Sequence, residues 1–398
     1  LHLPFRQKAH HRVEGDRRIS SFKTTAPIHH FFTILSARYA LAQQKWNDVS
    51  LEVYHHPEHS YNVDGMLRAM NASLDYYTKH FSPYQFKSLR IAEFPAYRNF
   101  AQAYPGTVAF SEAAGFIIGK PVGERYDGIV YVTAHEVGHE WWGHQVIGAD
   151  VQGQTVLSET LAQYSALMVM EQMYGEQEIR RFLKNSLDGY LRSRGSDITG
   201  EVPLERVEEQ AHIRYLKGGM VMYLLKDRLG EAAIDRALQS LIKDYAFKAA
   251  PYPTSRDLID RLREQAGPEL QDLITDLFEK ITIYDYKVTG SRKARLPDGK
   301  WSVSIDVEAG KQYADEKGGL TPATLNEVVD VGVFTAEPGK NDFTAASVLS
   351  MKPQRITGGA QTLTVVVDHE PKFVGIDPYN KYVDGNSDDN VMAISAAQ

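Results

Sequence analysis

A chain of 398 residues with 43% hydrophobic and 24% charged side chains has ordinary globular usage and length enough for two or three domains. A formal net charge of -7 and a pI near 6.1 argue against a nucleic-acid partner. The absence of cysteine excludes disulfides and thiolate ligands, leaving histidine and carboxylate as the strong donors for a metal such as zinc.

No apolar run approaches the roughly 18 to 20 residues needed to span a bilayer, and no signal peptide is read. Because the chain starts at Leu1 and not at Met, it reads as a processed form or a piece of something longer. These features leave the compartment open.

Residues 1–60 carry β-rich runs, "RRISSFKTT", "FFTILSARYAL" and "VSLEVYHH", punctuated by Pro27 and Pro57. They read as the tail of an N-terminal β domain, too short to be stable alone. His55, His56 and His59 read as a histidine-rich strand edge, outside any ligand set. Residues 61–283 are dominated by helical periodicity, from "VDGMLRAMNASLDYYTKHF" to "SRDLIDRLREQAG", with "FKSLRIAEFP" and "GTVAFSEAAGFII" as a small sheet against the helices. From Tyr284 onward the period changes to two, and residues 284–398 read as a β-sandwich of about 100 residues. Its late acidic run "DGNSDDN" reads as a solvated loop, with cation binding as the lesser alternative. The fold class expected is thus α+β and multidomain: a mainly helical domain, a short β segment before it and a β-sandwich after it.

Within the helical part, His135, Glu136, Val137, Gly138 and His139 place two imidazoles four apart with a carboxylate between them. Apolar residues from Tyr126 to Gln145 fall at helical spacing, with Asp127 as N-cap, so both rings lie on one helical face and can share one metal ion. Glu136, one step round, addresses a water on that metal. Catalytic zinc takes three protein groups and keeps a fourth position for water. A second helical run begins at Ser158, read as its cap, with Glu159 in the first turn. Glu159 is the leading third ligand, although a Glu there also complements the helix dipole; Glu140 and Glu171 compete. His144 reads as a packing group beside Trp141 and Trp142. The chemistry implied is metal-assisted hydrolysis, of a peptide bond above all, with one zinc ion and Glu136 as general base.

The runs "HEVGHEWWGHQVIG" and "LSETLAQYSALMVMEQMYG" resemble the zinc aminopeptidases of the aminopeptidase N family, gluzincins whose catalytic domain is thermolysin-like. That resemblance implies His135, His139 and Glu159 as the metal ligands. Tyr215, Leu216, Lys217 and Gly218 resemble the family's Tyr-x-Lys-Gly segment, which implies that Tyr215 is a catalytic tyrosine donating to the oxyanion. "AFSEAAGFI" resembles the Gly-x-Met-Glu-Asn segment, with Glu112 in place of the glutamate that binds the substrate's free amine, although Ala109, Ser111 and Ala113 replace its Gly, Met and Asn. Nineteen residues separate His139 from Glu159, one more than the family's usual spacing, which implies an insertion in the connecting loop. The nearest resemblance is to the peptidase domain of bacterial proteins in which an ABC-transporter permease precedes it. It implies a membrane permease domain upstream as partner, with this chain the extramembrane part of a bacterial membrane protein. Three functions are carried forward: a zinc aminopeptidase acting on peptides, a zinc endopeptidase of the same fold, and a silent peptidase-like module regulating a transporter.

Overall fold

Strand β3 (Ala40–Trp46) turns back on β4 (Val49–His55) after a short hairpin, β1 (His10–Glu14) and β2 (Arg17–Ser21), has run ahead of both. The computed structural model describes residues 10–21, 23–24, 28–119, 127–196, 198 and 200–395. Pro27 and Tyr126 therefore lie outside the described residues. Two compact units emerge, one from residues 1–173 and 231–265, the other from residues 174–230 and 266–398.

In the first unit β4 is followed by helix α1 (Val63–His80), then β5 (Ser88–Phe94), β6 (Ala101–Tyr104) and β7 (Thr107–Ser111). The five strands make one mixed sheet in the order β3-β4-β5-β7-β6, in which β4, β5 and β7 run parallel and β6 forms one edge. Strands β4 and β5 are almost wholly buried, as parallel strands covered on both faces must be. The segment read as the tail of a preceding β domain thus supplies two strands of this sheet. Helix α1 buries Met66, Leu67, Met70, Leu74 and Tyr77, the three-and-four spacing that its sequence predicts.

Helix α2 (Gly128–Gly138) begins where expected, because the Asp127 side chain accepts a hydrogen bond from Val130 N at 3.2 Å. It ends seven residues earlier than the periodicity predicts. Gly143 adopts φ +119°, a backbone conformation few other residues tolerate, and its N–H bonds Val146 O at 2.9 Å, so the chain turns back and Trp141 and Trp142 enter the core from a turn. Helix α3 (Leu161–Tyr174) is preceded by a π-helical turn, Val156–Thr160, so Ser158 lies inside that turn and does not cap it. Gly138 meets α3 directly: a Cβ there would stand 3.3 Å from Ala162 Cα. Trp142 Nε1 donates to Ser165 Oγ at 2.9 Å, and Tyr77 OH donates to Ala134 O at 2.9 Å, pinning α2 to α3 and to α1.

The second unit contains α4 (Glu176–Arg194) and α5 (Gly218–Leu229). Helices α6 (Glu231–Tyr245) and α7 (Ser255–Gln265) return to the first unit, and α8 (Gln271–Phe278) belongs to the second. Period two starts at Ile281, three residues ahead of Tyr284. The strands are β8 (Ile281–Arg295), β9 (Trp301–Ala314), β10 (Leu320–Ala323), β11 (Asn326–Phe334), β12 (Val348–Thr357), β13 (Gly359–Val367), β14 (Phe373–Ile376) and β15 (Val391–Ala393). They form two four-stranded antiparallel sheets, one of β8, β9, β10 and β13 and one in the order β12-β11-β14-β15. The run read as a solvated acidic loop is mixed: Asp384 is fully buried and accepts from Tyr286 N and Asn386 N, and Ser387 and Asn390 are buried with it, while Gly385, Asn386 and Asp388 are exposed. Among the described residues no helix is long and apolar enough to cross a membrane.

The contact at Gly138 yields a stability prediction. Gly138→Val should destabilise the first unit by about 1–3 kcal/mol, because α3 must move to admit the side chain. Asp127→Ala, which removes only the cap, should cost about 1 kcal/mol. Chemical denaturation of both variants checks the ranking, and equal stability of Gly138→Val and native protein would show that α2 and α3 are not held at this distance.

Candidate metal centre

The last turn of α2 presents His135, and its C-cap is His139; their Nε2 atoms lie 3.1 Å apart. Each lies 3.3 Å from Glu159 Oε2, delivered by the π turn ahead of α3. His139 Nδ1 is 3.0 Å from Trp142 O, which fixes the tautomer so that Nε2 faces the other two groups. A tetrahedral ion with bonds of about 2.0 Å sets its ligand atoms about 3.3 Å apart, so these three donors match one in both type and spacing. They form one of two groups among the described residues able to hold a metal ion.

Charge knits the group together. Burial opposes ionisation of Glu159, but hydrogen bonding and charge from the two imidazoles hold its carboxyl far below the usual range. Burial likewise opposes an imidazolium at His139, yet Glu159, with Glu136 behind it, carries that pKa up to about 9. Glu136 is buried beside them, and burial pushes its carboxyl up against the pull of both rings.

The sheet edge supplies the other wall. Ser111 N donates to Phe100 O at 3.0 Å, so in the β6/β7 register Phe100, Gln102 and Tyr104 bond to β7 while Ala101 and Ala103 turn their backbone groups outward. The N–H of Ala103 lies against the Glu136 carboxylate. Glu136 Oε2 has no hydrogen-bond partner among the described residues. A cleft of about 210 Å³ opens here, its walls including Gln102, Ala103, His139 and Glu159.

The remaining expected residues keep other company. Glu112 opens a π turn, Glu112–Phe116, and its Oε1 accepts from Ala96 N at 2.9 Å while Oε2 stands 3.8 Å from His59 Nδ1. His59 Nδ1 is 2.5 Å from Glu93 Oε1, and His59, Glu93 and Glu112 make the second group able to hold a metal ion, so His59 does stand among potential ligands, unlike the reading of its segment as a bare strand edge. Along β7, Glu112 lies four residues from Val108, the partner of Ala103, or about 13 Å at roughly 3.3 Å per residue. Glu140, a competitor for third ligand, is fully buried and accepts from Gly106 N at 2.9 Å, and burial lifts its pKa to about 8. Glu171 lies three turns along α3. Tyr215 belongs to the second unit, in a π turn, His212–Lys217, with the Arg214 guanidinium 5.1 Å from its ring centre. Lys217, two residues on, is buried 3.1 Å from Glu201.

Sequence reasoning missed His144 as a cleft residue, along with Gln102 and Ala103. The outward turn of Ala103 is implicit in strand alternation, but which strand meets α2 has no local signal.

Residues 62–279, more than half of the chain, match the Peptidase family M1 domain. The chain belongs to peptidase family M1. Human endoplasmic reticulum aminopeptidase 2 is 23% identical over 250 residues, covering 60% of this M1 chain and 26% of its own length. Probable aminopeptidase 1 of Sulfurisphaera tokodaii is 23% identical over 215 residues, covering 52% and 27%. The M1 chain thus spans about a quarter of the length of these curated relatives. The crystal structure of Legionella pneumophila aminopeptidase A in complex with aspartic acid covers 86% of the M1 chain and 38% of its own, with a TM-score of 0.56 at 16% identity, a likeness of fold. The family and the α+β fold class expected from the sequence both hold.

Because a metal must displace the His139 proton, zinc affinity of this M1 chain should rise with pH up to about 9. Titration with a competing chelator between pH 6.5 and 9 should show roughly a tenfold gain per unit over this range. A flat profile would mean that no protonated imidazole guards the site.

Proposed function

We propose that this chain is the catalytic portion of a zinc-dependent aminopeptidase in which His135, His139 and Glu159 hold one zinc ion and Glu136 is the general base. The observation that carries the reading is the trio of donor atoms 3.1–3.3 Å apart with a buried carboxylate beside them. When bound, zinc supplies Lewis-acid polarisation and acidifies water towards a pKa of roughly 7. One oxygen of Glu136 is unpartnered among the described residues, and the raised pKa of this carboxyl suits it to take a proton from the attacking water and return it to the leaving amine. The outward backbone groups of the β6 edge suit an extended peptide, which is the proposed substrate.

Tyr215 is the proposed donor to the developing oxyanion, worth about 3–4 kcal/mol in barrier. The Lys217–Glu201 pair holds the turn that carries it. Residues 61–283 form the proposed peptidase segment, between a β segment at 1–60 and a sandwich at 284–398. An upstream membrane permease belongs to the same proposal, on the fusion-protein resemblance alone.

Glu112 is proposed to bind the free amine of the substrate. Its present partners, and its place about 13 Å from Val108 along the chain, favour a second reading, the endopeptidase.

Amino-acid anilides, free and N-acetylated, offered to the zinc-loaded protein separate these readings. Glu136→Gln should keep its zinc and lose turnover by about 10²–10⁴-fold. Retained turnover would remove Glu136 from the chemistry. Glu112→Gln should raise KM for free-amine substrates alone, and faster cleavage of the acetylated series by native protein would establish the endopeptidase.

A further inference from the structure

The cleft that His139 and Glu159 line is walled also by His144, His29, Phe31 and Gln102. His144 is only 9% exposed, and among the described residues neither of its ring nitrogens has a hydrogen-bond partner. The Ala103 carbonyl approaches the ring without reaching hydrogen-bond geometry. The backbone gives the ring little choice of position: His144 N bonds His139 O at 3.2 Å, and the left-handed Gly143 precedes it. The His29 ring centre lies 6.2 Å away and that of Phe31 6.4 Å, and His29 Nε2 is likewise buried without a partner. A buried polar group left unsatisfied costs about 1–3 kcal/mol, and its occurrence in a native cleft calls for a ligand to complete it.

We propose that His144, with His29 beside it, is a specificity-determining residue that hydrogen-bonds a hydroxyl or amide on the substrate side chain entering the cleft. No lysine or arginine lines the cleft among the described residues, and its one acid, Glu159, is engaged by two imidazoles, so neither an acidic nor a basic side chain meets a free countercharge. Phe31 and Trp142 supply an apolar wall, and about 210 Å³ admits one side chain of medium to large size. The class selected is therefore neutral and hydrogen-bonding: Tyr over Phe, Gln over Met. An apolar isostere would leave His144 unpaired, and a site built around such a group discriminates strongly against it. The assignment rests on the cleft being the substrate site of the proposed peptidase.

The test uses the full chain loaded with zinc, native and as His144→Phe and His144→Gln, on peptide pairs differing only by Tyr/Phe or Gln/Met at the residues flanking the scissile bond. Native protein should favour the hydrogen-bonding member at least tenfold in kcat/KM. His144→Phe should bring the ratio close to one while zinc content is retained, and His144→Gln, which keeps a donor and an acceptor, should restore part of it. An imidazole that merely packs would change both members of a pair alike, and a native ratio below tenfold, or one that survives in both variants, overturns the proposal. Calorimetric Kd values for tyrosine and phenylalanine hydroxamates supply a readout free of turnover. Should no peptide be cleaved, the peptidase reading fails on its own account, and the hydroxamate ratio still decides: tenfold or more that is lost in the variants sustains the role of His144, and less overturns it.

Discussion

Holding two imidazoles and a carboxylate within 3.3 Å of one another is the constraint around which the first unit is arranged. Two buried ring nitrogens 3.1 Å apart cannot both carry protons comfortably, and a carboxylate at the same distance from each offsets that cost. The spacing of the rings comes from one helix and is local. The approach of Glu159 is not: it requires α2 and α3 to pack closely, which Gly138 against Ala162 permits and a larger side chain at 138 would push apart. The Trp142–Ser165 and Tyr77–Ala134 hydrogen bonds then keep the helices in that relation without entering the site.

Irregular backbone recurs at the proposed functional residues. Glu112, Glu159 and Tyr215 each sit in a π-helical turn, a rare conformation that is common at functional sites. Such a turn accommodates one residue more than an α-helical turn, which is the size of the excess in the His139–Glu159 interval. Gly143 plays a comparable part after His139, since its left-handed backbone reverses the chain and carries His144 into the cleft.

What was legible in the sequence was what short-range geometry controls. The four-residue interval of His135 and His139, the Asp127 cap, the face of α1 and the alternation that opens at β8 all follow from helix or strand period. The length of α2 was misread because Trp141 and Trp142 continue the apolar pattern into a turn that Gly143 reverses. The cleft itself draws on residues 29–31, 102–103, 139–144 and 158–159, brought together by sheet order and helix packing, and sequence periodicity says nothing about which edge strand meets which helix. The surroundings of Glu112 were hidden for the same reason, His59 and Glu93 arriving from other segments.

The buried lysines of the second unit and the polar groups around the trio are treated in different ways. In the second unit, Lys311 lies 2.6 Å from Asp276 and 3.0 Å from Glu327, and Lys381 lies 2.6 Å from Asp227 and 2.8 Å from Asp330. Each ammonium has its countercharges, as burial demands of a group that is structural. Around the trio in the first unit, by contrast, Glu136 Oε2, both nitrogens of His144 and Nε2 of His29 are buried without hydrogen-bond partners among the described residues. Their cost, about 1–3 kcal/mol apiece, is not offset among the described residues, and His144 and His29 line one cleft whose other wall is a strand edge with outward-facing backbone. The unmet hydrogen bonds mark where a polar ligand completes the fold's own bonding, with Glu136 placed for the reacting atoms and His144 for the part of the substrate that does not react.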